Sequence, residues 1–187
     1  MCQFEPGTTS ERCGSVLTHK ITKQIKQRLL DHHNELRRRV AKGEEPDQPA
    51  AANMRELEWN EELSDISQTW ADQCDCIFHE TNVYPCFHEH GGGVERAPLN
   101  KHASGQNLAW QSLPAASRVQ DWTGRAQGWY DEVYDFNSTY VDGWQPSSEA
   151  VIGHYTQFVW GETYQMGCGI LISEVNSSLI NLKVLKG

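Results

Sequence analysis

The sequence predicts one domain of the α+β class. Two long segments carry apolar residues at the spacing of an amphipathic helix, and two shorter segments are typical of strands. A chain of 187 residues is long enough for one hydrophobic core and requires no second one. Residues 1–20 contain Cys2 and Cys13 and are predicted to be an extension that disulfides pin, so we assign the domain to residues 21–187.

Two helices are predicted to open the domain. Apolar side chains recur at helical spacing from Ile21 to Val40, and Gly43 and Pro46 end this first helix. After a connector rich in proline and alanine, Asn60 is a good N-cap for the second helix. The apolar stripe of that helix comprises Leu63, Ile66, Trp70 and Cys74.

An irregular region follows the second helix. Residues 75–105 include three consecutive glycines and four histidines. A length of about 30 residues exceeds that of an ordinary connection. We therefore expect a disulfide or a function to hold this region in place.

The rest of the chain alternates between strands, a helix and a loop. Residues 107–110, NLAW, suggest a strand, and Ser117 and Gln120 are predicted to form the capping box of a third helix that reaches Val133. Residues 134–150 form an aromatic, turn-rich loop. A last strand is predicted where the residues alternate in the run MGCGILISEV.

Composition excludes several classes of partner. A formal net charge of -9 disfavours nucleic acid, because binding to it begins with neutralisation of phosphates. No apolar run approaches the roughly 18 residues of a membrane span. Six cysteines in one small domain favour disulfides and an oxidising compartment. We therefore expect a secreted, extracellular protein with no nucleic-acid partner and no membrane span.

Two further features bear on secretion. Sequons at Asn137 and Asn176 agree with a secreted glycoprotein, although such tripeptides also occur often by chance. No signal peptide follows Met1, because Cys2 stands where a basic and then an apolar segment would begin. We expect the chain to be a mature form or a fragment.

Several motifs resemble those of the CAP superfamily, which includes cysteine-rich secretory proteins, antigen 5, venom allergen-like proteins and plant pathogenesis-related 1 proteins. They occur in the family's order over about residues 21–172, and they are HNELRRRV, NMRELEWNEEL, WADQC, NLAW, WYDEV, GHYTQFVW and MGCG. The likeness is strongest to invertebrate antigen 5 or venom allergen-like proteins. The resemblance implies a three-layer α-β-α sandwich with a central antiparallel sheet.

The resemblance also implies a cleft lined by two histidines and two acidic residues. His79 and His154 match the histidines and Glu132 matches one acid, whereas Gln106 occupies the place of the other. Glutamine offers a carbonyl ligand and N–H donors but cannot act as a base. Two imidazoles and a carboxylate resemble the ligands of a zinc hydrolase. We predict a weak site for Zn²⁺ or another divalent cation at His79, Gln106, Glu132 and His154.

The aromatic loop is a second candidate surface. Tyr134, Phe136, Tyr140 and Trp144 either present rings to a ligand or seal the edge of the core. The resemblance places this loop where some CAP proteins contact sterol through an aromatic, caveolin-binding-like pattern. Tyr134-x-Phe136 matches the start of that pattern, but the next aromatic residue here comes one position earlier than the pattern requires. Other CAP proteins hold a fatty acyl chain between two helices, which the apolar stripes here allow.

The sequence departs from the family pattern after about residue 172. Members usually continue past MGCG with a strand that carries a second cysteine, but this chain continues ILISEVNSSLINLKVLKG. The customary disulfide of Cys168 to that strand cannot form. We therefore expect an atypical end to the domain, with the last strands altered or truncated.

These features support two hypotheses about function, beside a purely structural reading in which the four cleft residues form a hydrogen-bonded polar core. The first is a secreted binding protein, a monomer or weak dimer, for a small hydrophobic ligand such as a sterol or fatty acyl lipid, or for a host receptor. The alternative is a metal-dependent or cleft-based protease with Glu132 or His154 as the base. No serine or cysteine within the motifs is placed to be an activated nucleophile, so binding is favoured over catalysis.

Overall fold

The computed structural model describes residues 5–18, 20–74, 105–112, 121–145, 150–173 and 179–186. The helices are α1 (Lys23–Ala41), α2 (Glu61–Ala71), α3 (Trp122–Tyr130) and α4 (Gly153–Phe158). The strands are β1 (Val16–Thr18), β2 (Glu58–Trp59), β3 (Gly105–Ser112), β4 (Gln165–Ser173) and β5 (Leu179–Lys186). None of these helices has the length and apolar character needed to cross a bilayer.

The strands of the described chain form one sheet in the order β1-β4-β5-β3. Neighbours along this path are antiparallel, and the two-residue strand β2 pairs parallel to the start of β4. Strand β5 is an inner strand, since Val184 is paired with Cys168 on one side and Asn107 on the other. The atypical sequence after residue 172 therefore still supplies a strand to the centre of the sheet.

Helices cover both faces of the sheet, which confirms the predicted α-β-α sandwich. Successive side chains of β4 alternate between the faces. Met166, Cys168 and Ile170 join the main core with α1, α3 and α4. Leu171 packs instead with Ala71 of α2 and with the Cys13–Cys74 pair.

Helix α2 lies directly on β4 because glycine allows a close approach. A Cβ added at Gly167 would stand 2.2 Å from the backbone nitrogen of Ser64. The hydroxyl of Ser64 donates a hydrogen bond to the carbonyl of Cys168 at 2.8 Å, and the hydroxyl of Ser67 donates to Gly167 at 3.2 Å. Backbone and helix are thus joined without an intervening layer of side chains.

The side chain of Gln68 acts on β4 as a neighbouring strand would. Its Nε2 donates to the carbonyl of Ile170 at 2.9 Å, and its Oε1 accepts from the N–H of the same residue at 3.0 Å. These bonds fall between the residues of β4 that pair with β2 and those that pair with β1. A polar side chain of α2 therefore satisfies the backbone hydrogen-bonding groups in this part of β4.

A disulfide pins the N-terminal extension, as predicted, to a residue just after α2. A disulfide joins Cys13 to Cys74 across a sequence separation of 61 residues. A closed loop of that length is worth roughly 4 kcal/mol in the loop-entropy account. Cys168 is fully buried in β4, and the remaining cysteines lie outside the described residues.

The start of α2 confirms the predicted cap, and Asp121 caps α3. Asn60 caps α2 by accepting a hydrogen bond from the N–H of Leu63, as predicted. Helix α3 is capped by Asp121, whose carboxylate accepts from the N–H of Gly124 at 2.8 Å. The predicted capping box of Ser117 and Gln120 lies outside the described residues. The predicted helix ends early, at Tyr130, and a 3-10 helix follows it.

The close contact between α2 and β4 predicts a strong effect of one added methyl group. Gly167→Ala should lower the free energy of unfolding by about 2 to 3 kcal/mol, since the new Cβ would overlap helix backbone rather than a movable side chain. Urea denaturation measures the change. The matched control is Gly128→Ala, because a Cβ at that exposed helical position meets nothing within 4 Å and should stabilise α3 by about 0.5 to 1 kcal/mol. Equal stabilities of the two variants would contradict this account of the packing.

Candidate functional site

Glu132 and His154 form a hydrogen-bonded pair. Glu132 lies in the 3-10 helix that follows α3, and His154 is the second residue of α4. The carboxylate Oε1 is 2.6 Å from Nδ1 of His154, and Oε2 accepts from the backbone N–H groups of His154 at 2.8 Å and Tyr155 at 3.1 Å. One carboxylate thus both holds the imidazole and caps the start of α4.

The pairing determines which ring nitrogen of His154 is available for chemistry. An ionised carboxylate only accepts hydrogen bonds, so Nδ1 of the neutral ring carries the proton and Nε2 carries the lone pair. Metal-bound histidines commonly donate their second N–H to a carboxylate in this way. A general base oriented by a carboxylate has the same arrangement. Both uses are open to Nε2.

Neighbouring residues hold the pair in position. The indole of Trp129 stacks on the His154 ring, with centroids 6.1 Å apart and planes 20° apart. The Nδ2 of Asn107 donates to the carbonyl of His154 at 3.1 Å, and Nε1 of Trp129 donates to the carbonyl of Leu108 at 3.0 Å. These bonds join α3, α4 and β3 around the histidine, whose side chain remains 24% exposed.

Gln106, a third predicted ligand, lies within the described residues. Gln106 is buried in β3. Its neighbours Gly105 and Asn107 both face α4, because a Cβ on Gly105 would meet the side chain of Gln157 and Asn107 binds His154. His79 lies outside the described residues, so the part of the chain that the structure covers brings together Glu132 and His154.

The described residues contain no group of three or more His, Cys, Asp or Glu side chains arranged to hold a metal ion. Glu132 occupies Nδ1 of His154, so within this part of the chain Nε2 is the imidazole nitrogen that could bind a cation. The prediction of a cation site thus depends on His79, and it stays a prediction.

The aromatic loop borders an apolar cavity of about 420 Å³. Phe136, Tyr140 and Trp144 line it, as do Tyr155 and Val159 of the α4 region. Tyr134, the fourth aromatic residue of the predicted surface, is 83% exposed and is not part of the lining. Three of the four predicted rings therefore line one cavity that is open to solvent on one side.

The rings form a continuous wall. The centroid of Phe136 lies 5.1 Å from that of Tyr155 and 5.7 Å from that of Tyr140, which in turn is 6.3 Å from Trp144. Burial raises the pKa of the Tyr155 phenol, so this part of the wall carries no charge at physiological pH. A mostly apolar wall is typical of sites for small ligands.

The opposite wall of the cavity was not recognised in the sequence. It comes from residues 48–54, a stretch that composition identifies only as a connector. Its small and apolar side chains leave open space, while Gln48 anchors it by donating from Nε2 to the carbonyl of Phe136 at 3.2 Å. The run of three alanines was the available signal, because such side chains line a cavity without filling it.

The cavity and the Glu132–His154 pair share helix α4. The backbone N–H of Tyr155 binds the Glu132 carboxylate, whereas its ring belongs to the cavity wall. Thr156, one residue further, also lines the cavity. A change in the position of α4 would therefore alter both the Glu132–His154 pair and the cavity wall.

Comparisons with known proteins give a consistent picture. The family model described as "CAP: Cysteine-rich secretory protein family" matches residues 30–182. Venom allergen 5 of Polistes dominula is 35% identical over 179 residues, which cover 91% of this chain and 71% of that protein. Scoloptoxin SSD43 of Scolopendra dehaani is 37% identical over 149 residues, covering 80% of this chain and 63% of that one.

The fold also has a counterpart among solved structures. The crystal structure of Na-ASP-1 matches with a TM-score of 0.64 at 24% sequence identity. The match covers 98% of this chain and 43% of that chain. This chain thus spans less than half of Na-ASP-1 and less than two thirds of the scoloptoxin.

The double role of the Glu132 carboxylate predicts a specific effect of its amide analogue. In Glu132→Gln the amide oxygen can still accept from the backbone of α4, but the NH₂ group then faces Nδ1 of His154. The neutral ring should change tautomer, so that Nε2 carries the proton, and stability should fall by about 1.5 to 3 kcal/mol. Nitrogen-15 NMR of the imidazole reads the tautomer directly. The exposed Glu56→Gln serves as control, and an unchanged tautomer in Glu132→Gln would contradict the assignment.

Proposed function

The chain belongs to the cysteine-rich secretory protein (CAP) family, and we propose that it acts outside the cell by binding a small hydrophobic molecule in the cavity beside α4. The observation that carries the proposal is the aromatic-lined volume of about 420 Å³. Small-molecule sites commonly enclose about 300 to 1,000 Å³. The Cys13–Cys74 disulfide supports an extracellular location, because such bonds persist in oxidising compartments.

The polar groups at the cavity favour a neutral ligand. Gln48, Asn53 and Thr156 offer hydrogen-bond donors and acceptors, and Glu162 contributes a carboxylate. A fatty acid would bring its own carboxylate toward Glu162 and toward a chain of net charge -9. A sterol or another lipid with a single hydroxyl brings no such repulsion. We therefore rank sterol-like alcohols above fatty acids as ligands.

A weak divalent-cation site is the second part of the proposal. His154 would bind the ion through Nε2 and His79 would add a second imidazole, while Glu132 orients the first ring. Affinity should fall in acid, because protonated imidazoles cannot bind metal. The ion would stabilise the cleft rather than drive a reaction.

The protease alternative gains no support from the relatives or from the geometry. The ring of His154 hydrogen-bonds to Glu132 and its backbone carbonyl accepts from Asn107. Within the described residues no hydroxyl or thiol hydrogen-bonds to this ring. A nucleophile activated by His154 would need such a contact, so the residues in view favour binding.

Filling the cavity should abolish binding of an apolar ligand. Val159→Trp places an indole among the lining residues and should weaken binding of the fluorescent sterol dehydroergosterol by roughly tenfold or more, equivalent to about 1.4 kcal/mol. The control is Val151→Trp, the same change at an exposed valine that does not line the cavity. Fluorescence titration gives both affinities. If the two variants bound the sterol equally well, the cavity would not be the site.

Removing the imidazoles should abolish cation binding. Isothermal titration with zinc is expected to give heat with the wild-type chain and none with a variant that combines His79→Ala and His154→Ala. His32→Ala is the control, because that histidine lies on α1 and takes no part in the proposed site. Identical heats for the wild-type chain and the double variant would exclude the site.

A further inference from the structure

The loop between α3 and α4 contains a sequon in a favourable conformation. Asn137, Ser138 and Thr139 fit the N-glycosylation pattern, with no proline at the middle position. Asn137 is exposed and caps the 3-10 helix Ser138–Val141. An exposed turn of this kind is where an attached sugar chain can extend into solvent.

The hydrogen bonds of Asn137 leave its modifiable atom unused. Its Oδ1 accepts from the N–H of Thr139 at 3.0 Å and from the hydroxyl of the same residue at 2.8 Å. Within the described residues its Nδ2 makes no hydrogen bond. A sugar on Nδ2 replaces one hydrogen and leaves both bonds of Oδ1 in place, so the cap of the 3-10 helix survives modification.

Other asparagines of the described chain lack this combination. Asn34 and Asn107 are buried and donate their Nδ2 groups to backbone carbonyls. Asn53 and Asn60 are not followed by a hydroxyl residue at the third position. The second sequon, at Asn176, lies outside the described residues. Asn137 thus combines a glycosylation sequon with an exposed side chain whose Nδ2 is available for modification.

We propose that Asn137 carries an N-linked glycan that stands beside the entrance of the apolar cavity. Its neighbour Phe136 and nearby Tyr140 both line that cavity. In the transfer, Nδ2 bonds to the anomeric carbon of a lipid-pyrophosphate-linked oligosaccharide, the bond from that carbon to the pyrophosphate breaks, and the amide loses one proton to a base of the transferase. The lipid pyrophosphate is the leaving group.

The position gives the glycan a function. Tyr134 and Val141 are 83% and 60% exposed on the same loop, on either side of Asn137 in the sequence, and exposed apolar side chains of this kind favour association with other proteins. A polar sugar chain attached between them covers this surface. The glycan therefore keeps macromolecules off the aromatic loop, while a small ligand still reaches the cavity.

Site mapping on secreted protein tests the modification. The chain, fused to a secretion signal, is produced in insect cells and treated with peptide N-glycosidase in ¹⁸O-labelled water, which converts a glycosylated asparagine to labelled aspartate. Peptide mass spectrometry should find the label at Asn137 in the wild-type chain and in Asn176→Gln. Asn137→Gln and Thr139→Ala should lack it. Unlabelled Asn137 in secreted protein with an intact Cys13–Cys74 disulfide would overturn the proposal.

Limited proteolysis tests the shielding. Chymotrypsin cleaves after aromatic residues, and the loop offers Tyr134, Tyr140 and Trp144. Cleavage there should be several-fold slower in the glycosylated chain than in the same chain after an endoglycosidase has trimmed the glycan to its first sugar, which leaves the Asn137 cap in place, whereas both should bind dehydroergosterol equally. Equal cleavage rates would overturn the shielding role. Loss of sterol binding in both forms would contradict the proposed function and leave the glycan result unaffected, because mapping does not depend on the ligand.

Discussion

The fold depends on one buried cation, Arg37 of α1, which is 2% exposed. Its guanidinium donates to the backbone carbonyls of Arg55, Phe158, Trp160 and Thr163 at distances of 2.7 to 3.2 Å. Burial lowers its pKa to about 10, so it stays charged at neutral pH. The bonds join α1, the segment before β2 and the end of α4. Since α4 carries His154 and is followed directly by Val159, this side chain positions both the Glu132–His154 pair and the cavity wall.

Side chains elsewhere also take the place of missing backbone partners. The amide of Asn34 bonds to both the N–H and the carbonyl of Leu57, as Gln68 does with Ile170 on the other face of the sheet. A buried peptide group without a partner is costly, and the described strands β1 and β2 are only three and two residues long. Polar side chains from α1 and α2 therefore supply hydrogen bonds that the short strands β1 and β2 do not.

The sequence predicted the features that depend on local patterns, such as helices, caps and strands. It did not predict the contacts between residues that are far apart in the chain. The helical spacing before Val40, the cap at Asn60 and the alternation along β4 were sufficient to predict those elements and the α+β class. The α-β-α sandwich was expected only through family resemblance. Arg37 could not be recognised, because the run of three arginines is typical of a solvated helix face and its carbonyl partners are far away in the chain. The pairing of Glu132 with His154 was expected only through family resemblance. The Glu132 carboxylate bonds to the His154 ring through one oxygen and to two backbone N–H groups through the other. The second contact requires that α4 is a helix, which the motif alone does not reveal.

The central claim is that an aromatic cavity, held open by α4 and residues 48–54, is the ligand site of this CAP protein. Its most direct test is a crystal structure of the secreted chain equilibrated with a sterol. The account predicts density for the ring system between Phe136 and Val159, with its hydroxyl near Gln48 or Thr156. A sterol bound elsewhere, or a cavity closed by movement of Trp144 and Trp160 with the ligand excluded, would contradict it.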